Sequence, residues 1–525
     1  MERIKGYFQL CRACFLQPVL DLYLAVLGFG LSLYLYDGYY GISYDKFLFW
    51  RKYSILFLIL STAALLIQVL MKHRSLSLEK IRAVLKPDGT DLCMGVYAVF
   101  LTLSYIKAID QKEAVWGTFG WQMGWLTFLI MIAWYFMYRK FYRWHPGSFV
   151  LICAGGVLVN GIGILQRMGL VEISHGAGEG MYLSTIGNIN WLAGYLSVIV
   201  PAGMGFFLGM KKEKRWITIL LSVLHLIAFV SLLTNGSNSV YLLLLGVLPI
   251  LFLLGISCRQ SFQRMCLILV MFGFACELVH LYILTGPPVS FYAGNEDNYG
   301  RFLIQGHIGL WIALVFAGAD LTLGRWMENG KLTLKHYETV FGAVILAGAA
   351  GLVIFTALQV FDLLPLPTSW GNNRAALWKV ASLMVRKLPS ARKLYGVGED
   401  CFAQYLINEK ECRELLIKIY TAEKVTNAHS EYLTMLVNTG LFGLISFLMT
   451  VVSAAMKARL SIRSETEIES MCARVKILML AGVLVHFLVS FPHIMLLPYV
   501  FVLLAASGPD EKAKTKKNSH ESEAV

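Results

Sequence analysis

The chain has 525 residues, of which 57% are hydrophobic and only 15% are charged. Globular chains carry about 25% charged residues, so a set of soluble domains is excluded and a polytopic membrane protein is expected. The formal net charge of +13 is not taken as a nucleic-acid footprint, because membrane proteins gather Lys and Arg in the loops of one side.

A span needs roughly 20 mainly apolar residues. In chain order, candidate spans centre near Leu27, Leu60, Phe100, Leu129, Val157, Ile199, Leu224 and Leu245, then Met271, Leu314, Ile345, Leu444, Val483 and Val500. The expected fold class is all-α, a polytopic membrane protein with about 12–14 transmembrane helices and one long extracytoplasmic loop containing amphipathic helices. The first run, from Pro18 to Tyr36, carries no cleavage-site pattern and is expected to stay as a span. The last two candidates are separated only by Phe491-Pro492-His493 and read either as two spans or as a re-entrant hairpin.

Most of the 46 basic residues fall in alternate loops, the richest being Lys72–Lys86, Arg139–Arg143, Lys211–Arg215 and Lys457–Lys476. With these loops cytoplasmic, both termini are cytoplasmic too, and the segment from Asp362 to Ser430 lies outside. Five regions follow: N-terminal spans (1–183), central spans (184–360), the long outer loop (361–430), C-terminal spans (431–507) and a lysine-rich cytoplasmic tail (508–525). The tail composition is that of a disordered segment. No Gly-x4-Gly-Lys-Ser/Thr motif occurs, which argues against an ATP-driven pump in this chain. Cys153, Cys266 and Cys276 sit in apolar runs as small hydrophobes. Cys11 and Cys14 form a lone pair with no second ligand pair for zinc. Cys401 and Cys412 share the long loop and could pair if it is outside.

A polar loop this long inside a membrane protein is usually functional. Leu377, Val380, Ala381, Met384 and Leu388 recur at helical spacing. Asn372 or Asn373 is a cap candidate and Pro389 a stop, so an amphipathic helix is expected at the membrane surface. A second helix is expected from Phe402 to Tyr420, after a turn at Gly396-Val397-Gly398. Arg374 stands one turn before Trp378. His429 stands before the next span, near a helix N-terminus whose dipole disfavours the imidazolium. A neutral imidazole there can act as a general base. On residue type alone each keeps an ordinary reading too, Arg374 as an interfacial anchor and His429 as a solvated polar side chain.

The segment Arg374-Ala-Ala-Leu-Trp378, Gly396-Val-Gly398, His429-Ser-Glu431-Tyr432-Leu433 and Gly440-Leu-Phe-Gly443 resembles the signature region of the O-antigen ligase and polymerase family of membrane glycosyltransferases. A second stretch, Gly187-Asn188-Ile-Asn190-Trp-Leu-Ala193-Gly194-Tyr195-Leu196, resembles the family's Gly-Asn-Pro-Asn element, with Ile189 in place of the proline. Many members also carry Ser-Arg at the outer start of a central span, where this chain has Ser237-Asn238. Arg301, at the outer end of another span, is either a substitute for that charge or, at least as readily, an interfacial anchor.

The resemblance implies glycan transfer from an undecaprenyl-diphosphate carrier to a glycan or lipid acceptor, with no metal and no other cofactor. His429 and Arg374 are the implied catalytic residues. Arg301, Trp378, Asn188, Asn190, Glu431 and Tyr432 are implied to bind substrate, although core packing is the first reading for both Trp378 and Tyr432. Ligase and polymerase activities are not separated by these motifs. A polysaccharide flippase is the alternative from another class. It calls for ionisable residues deep in the spans, where this chain has few beyond His307 and Asp320.

Overall fold

A computed structural model of the chain describes residues 15–71, 84–173, 183–211, 213–286, 299–328, 336–420 and 422–508. The Cys11 and Cys14 pair, most of the Lys72–Lys86 loop and the tail beyond Gly508 lie outside the described residues. Among the described residues the regular structure is helical throughout. The first helices are α1 (Leu16–Ala25, continued by a π-helical turn over Val26–Leu31), α2 (Ile42–Met71), α3 (Gly89–Ile106), α4 (Gln111–Trp116) and α5 (Trp125–Phe141). Next come α6 (Pro146–Arg167), α7 (Ile189–Gly209), α8 (Arg215–Leu233), α9 (Ser239–Gly255) and α10 (Arg259–Leu284). They are followed by α11 (Tyr299–Gln305), α12 (Ile308–Glu328), α13 (Tyr337–Val360), α14 (Trp370–Lys387), α15 (Ser390–Tyr395) and α16 (Phe402–Asn408). The last are α17 (Lys410–Tyr420), α18 (Glu431–Asn438), α19 (Gly440–Arg459), α20 (Glu467–His486) and α21 (Leu497–Leu504).

Every expected span centre falls within one of these helices. Among the described residues, eight helices (α2, α3, α6, α7, α8, α10, α13 and α19) are long and apolar enough to cross a membrane. Leu16–Leu31, Ser239–Gly255 and Ile308–Gly324 are apolar and shorter. The chain is thus an all-α, multi-pass membrane protein. The final pair resolves as one full helix, α20, and the eight-residue α21, whose residues are buried.

The connections between helices gather in two separate groups. In one, Asp88 pairs with Arg139 and Lys457, Lys211 bonds the carbonyls of Ser464 and Glu465, and Arg264 pairs with Glu213. These are the basic loops. In the other, Ile109 N–H donates to the Val397 carbonyl (2.8 Å), Thr118 N–H to Asp400 (2.8 Å) and Glu431 N–H to the Phe487 carbonyl (2.9 Å). The loops expected to share a side from their Lys and Arg fall in the first group. At the centre α7 packs on α20, where Gly205 and Gly209 lie against Val475 and Met471. Small residues let membrane helices approach closely enough to gain dispersion contacts.

In the long segment the expected stripe of α14 is buried, Leu377, Val380, Ala381 and Met384 included. It is covered by α13, α17 and α18, so helices of the same chain take the place expected for the membrane surface. The expected asparagine cap does not form. Gly371, Asn372 and Asn373 take left-handed backbone angles (φ 62°, 60° and 64°), and the right-handed helix begins at Arg374. Asparagine tolerates this region better than other residues with a side chain. The second expected helix is broken into α16 and α17 at Glu409, which is extended. The Gly396 turn latches onto the end of α18: Val397 and Gly398 N–H groups donate to the carbonyls of Val437 (3.0 Å) and Asn438 (2.9 Å). Gly396 has φ +79°, and a Cβ there would strike the Asn438 carbonyl, so the turn requires glycine. Cys401 and Cys412 are separate, buried free thiols, each pushed up to about 12 by burial.

Candidate functional site

The two motif regions meet at the end of the bundle opposite the basic loops. Asn188 caps α7, its side chain accepting from the N–H groups of Asn190 (2.8 Å) and Trp191 (3.4 Å). That cap fixes the first turn and leaves the Asn190 side chain directed away from the helix. The Asn190 Oδ1 accepts from Arg374 Nη2 (3.1 Å) and from Ser237 Oγ (3.1 Å). One amide oxygen therefore joins α7, α14 and the loop before α9.

Arg374 is 9% exposed. Its Nη1 donates to the Gly371 carbonyl (2.9 Å), a contact made by the left-handed turn. Its Nε is enclosed without a partner. Burial lowers its pKa from the usual arginine value, yet an arginine stays charged in proteins. A buried guanidinium with spare donor capacity is suited to an anion, since burying a charge is costly unless it is paired.

His429 takes a left-handed conformation (φ +50°), held by its N–H to Asn427 Oδ1 (3.0 Å) and by Trp378 Nε1 on its carbonyl (3.4 Å). Phe491 packs edge-on to the ring at 4.9 Å. The residue is half-buried, and Nδ1 is enclosed without a partner. Burial, and then the charge of Arg374, lower its pKa to about 4. The neutral imidazole expected from the helix dipole is thus present for another reason, desolvation.

Three residues expected to contact substrate have other partners in the structure. Trp378 is buried between Phe355 and Trp370 and serves to position the His429 backbone. Tyr432 is fully buried with its hydroxyl on the Leu484 carbonyl (2.7 Å), so it presents no surface to a substrate. Arg301 is exposed and bonds Gln305 on its own helix (3.0 Å). That helix, α11, packs on α10 and α12. Asn188 acts as a cap. Asn190 remains at the site.

Glu431 is buried with Oε2 unpaired. It lies near Glu399 and Asp400, close enough for their charges to interact. Burial, with the neighbouring Asp400, pushes Glu399 up to about 8, so it holds its proton at neutral pH and is a donor rather than a base. Asp400 clasps the 107–124 connection through the N–H groups of Thr118 (2.8 Å) and Met123 (3.2 Å). Burial pushes its carboxyl up to about 7.

Sequence reasoning missed two residues. His486 and His493 are buried, and all four of their ring nitrogens lack partners. Both approach Gly194, where a Cβ would collide with His493 Nε2 and crowd His486 Nε2 (3.0 Å). Unpaired buried polar groups cost about 1–3 kcal/mol each, so four such nitrogens at one place call for a structural or functional reason. The Phe491-Pro492-His493 interruption was the available signal. His486 carried none, because a histidine ending a span reads as an interfacial residue.

No family model matches the chain, and no curated protein matches it. The family resemblance therefore stands on the residues quoted and on how they come together. The assembled elements are one buried guanidinium, one neutral imidazole, an amide that ties two distant motifs and a set of unpaired buried donors and acceptors.

Proposed function

We propose that the protein is an O-antigen ligase-like membrane glycosyltransferase. It takes a glycan from an undecaprenyl-diphosphate carrier and passes it to a cell-envelope acceptor on the outer face of the plasma membrane. The observation that carries this reading is the Arg374–Asn190 bond (3.1 Å) across 184 residues of sequence. It joins two stretches that resemble the family separately, beside His429. In the reaction the acceptor hydroxyl attacks the anomeric carbon as the bond to the diphosphate oxygen breaks. His429 takes the hydroxyl proton. Arg374 faces the charge that develops on the leaving diphosphate. Its planar fork suits phosphate oxygens.

The orientation belongs to the same proposal: basic loops and both termini inside, residues 361–430 outside. Cysteine labelling with an impermeant reagent in intact cells is expected to reach Ser390→Cys and to spare Ser461→Cys. The reverse pattern would invert the protein and remove the mechanism with it. The activity is tested by the lipid-linked product that accumulates in a strain lacking the protein. Long glycans left on the carrier indicate a ligase, and single repeat units a polymerase. An unchanged carrier pool would refute both.

A further inference from the structure

Among the described residues, Cys258 is the one free cysteine that is exposed. It stands just before α10, at the end of the bundle that holds the basic loops, where the nearby Gln260 bonds the Lys211 carbonyl. Its backbone is extended (φ −162°, ψ 163°), which makes it the N-cap of a 26-residue helix. A side chain at the N-cap reaches the third helical residue, here Ser261. Cys258 Sγ lies 3.2 Å from the Ser261 hydroxyl. The positive end of the helix dipole favours an anion at this position, and thiols at helix N-termini ionise readily.

A second observation comes from α20. Arg474 is 3% exposed, and its Nη2 donates to the hydroxyls of Ser257 (2.9 Å) and Ser261 (3.0 Å), the two serines that bracket the thiol. Its Nη1 holds the Ile462 carbonyl (2.8 Å) and the Ser470 hydroxyl. Its Nε is enclosed without a partner, and none of its hydrogen-bond partners among the described residues is a carboxylate. A buried guanidinium is costly without an anion, and the Cys258 thiolate is the anion it meets through Ser261. With Arg474 donating to its oxygen, the Ser261 hydroxyl can turn its own proton to the sulfur. Burial acts to raise the thiol's pKa, but the Ser261 hydroxyl and N–H, and then the Arg474 charge, outweigh it and bring it below the usual cysteine value. Arg264, paired with Glu213, and Tyr337, beneath Arg463, are close enough to feel the same charge.

We propose that Cys258 is a reactive thiolate and a site of covalent modification by small-molecule disulfides such as glutathione disulfide. The thiolate attacks one sulfur of the disulfide, the S–S bond breaks, and the other half leaves as a thiolate. Cys258 is oxidised to a mixed disulfide and the departing half is reduced, with no proton consumed. The inference is independent of the glycosyl-transfer reading.

The test uses the purified full-length protein in lipid nanodiscs, treated with glutathione disulfide, with occupancy at each cysteine read by mass spectrometry. At pH 7 Cys258 should react at least about tenfold faster than the buried Cys401 and Cys412. Its alkylation by iodoacetamide should rise with pH through a midpoint below that of an unperturbed cysteine peptide, about 8.5. Ser261→Ala and Arg474→Gln should each move that midpoint up and slow the reaction at pH 7 about three- to tenfold. Arg474→Lys, which keeps the charge, should recover part of the rate. Should the Arg474 variants fail to accumulate, Ser261→Ala decides. A Cys258 midpoint at or above that of the peptide, or a midpoint unmoved in the folded variants, would overturn the inference. Reaction with a long-chain acyl thioester but not with the disulfide would overturn it too, and make the thiol an acylation site.

Discussion

Replacing His429 by alanine is expected to lower glycosyl transfer about 10²–10⁴-fold, with the protein still inserted and present at wild-type level. The side chain packs edge-on to the Phe491 ring. The anchors of this segment are backbone groups, the N–H to Asn427 and the carbonyl to Trp378. Loss of rate at equal protein level would thus report chemistry rather than folding. Near-normal transfer by His429→Ala would remove it from the mechanism.

The pH profile sharpens this prediction. In the free protein, burial and then Arg374 lower His429 to about 4, so the imidazole is neutral over most of the working range but weakly basic. A bound diphosphate brings negative charge beside Arg374. That charge offsets the repulsion and raises the imidazole toward neutrality. Protonation disables the base, so the rate falls as pH drops through its pKa. The acid limb of kcat/KM, which reports free protein, is expected near 4. The acid limb of kcat, which reports the bound complex, is expected at higher pH. Coincident limbs would mean that the donor charge does not reach His429.

Arg374→Ala is expected to cost about 10²–10³-fold in kcat, the range for removing one preorganised donor from developing charge. Two effects add. The leaving diphosphate loses its guanidinium, and Asn190 keeps only Ser237 as a side-chain partner. Arg374→Lys should rescue poorly. The fork holds the Gly371 carbonyl and the Asn190 amide on separate nitrogens while Nε stays free, and a point charge cannot reproduce that arrangement. Asn190→Ala separates the two effects, because it leaves the charge in place and removes only its tether. It should fall between wild type and Arg374→Ala. Full activity in Arg374→Ala at matched expression would dismiss the donor site as drawn.

What the sequence by itself determined is local. Runs of apolar residues place the spans, because a lipid-exposed backbone must satisfy its own hydrogen bonds and a helix does so within each run. The alternation of basic loops anticipates which connections meet, and the stripe from Leu377 to Met384 marks the buried face of α14. Gly396 reads as a turn from residue type alone. Only the tertiary structure decided which side chains form the site. Nearly every helix here is apolar on all sides, so hydropathy says that a helix spans and not which face meets which neighbour. Core packing, the first reading for Trp378 and Tyr432, is where the structure places both. Hence also Arg301 lies on a helix packed against α10 and α12. The approach of His486 and His493 to Gly194 depends on how α7 packs against α20, and the pairing of Arg374 with Asn190 on where the start of α14 meets the start of α7. Long-range packing of that kind leaves no periodic trace in the sequence.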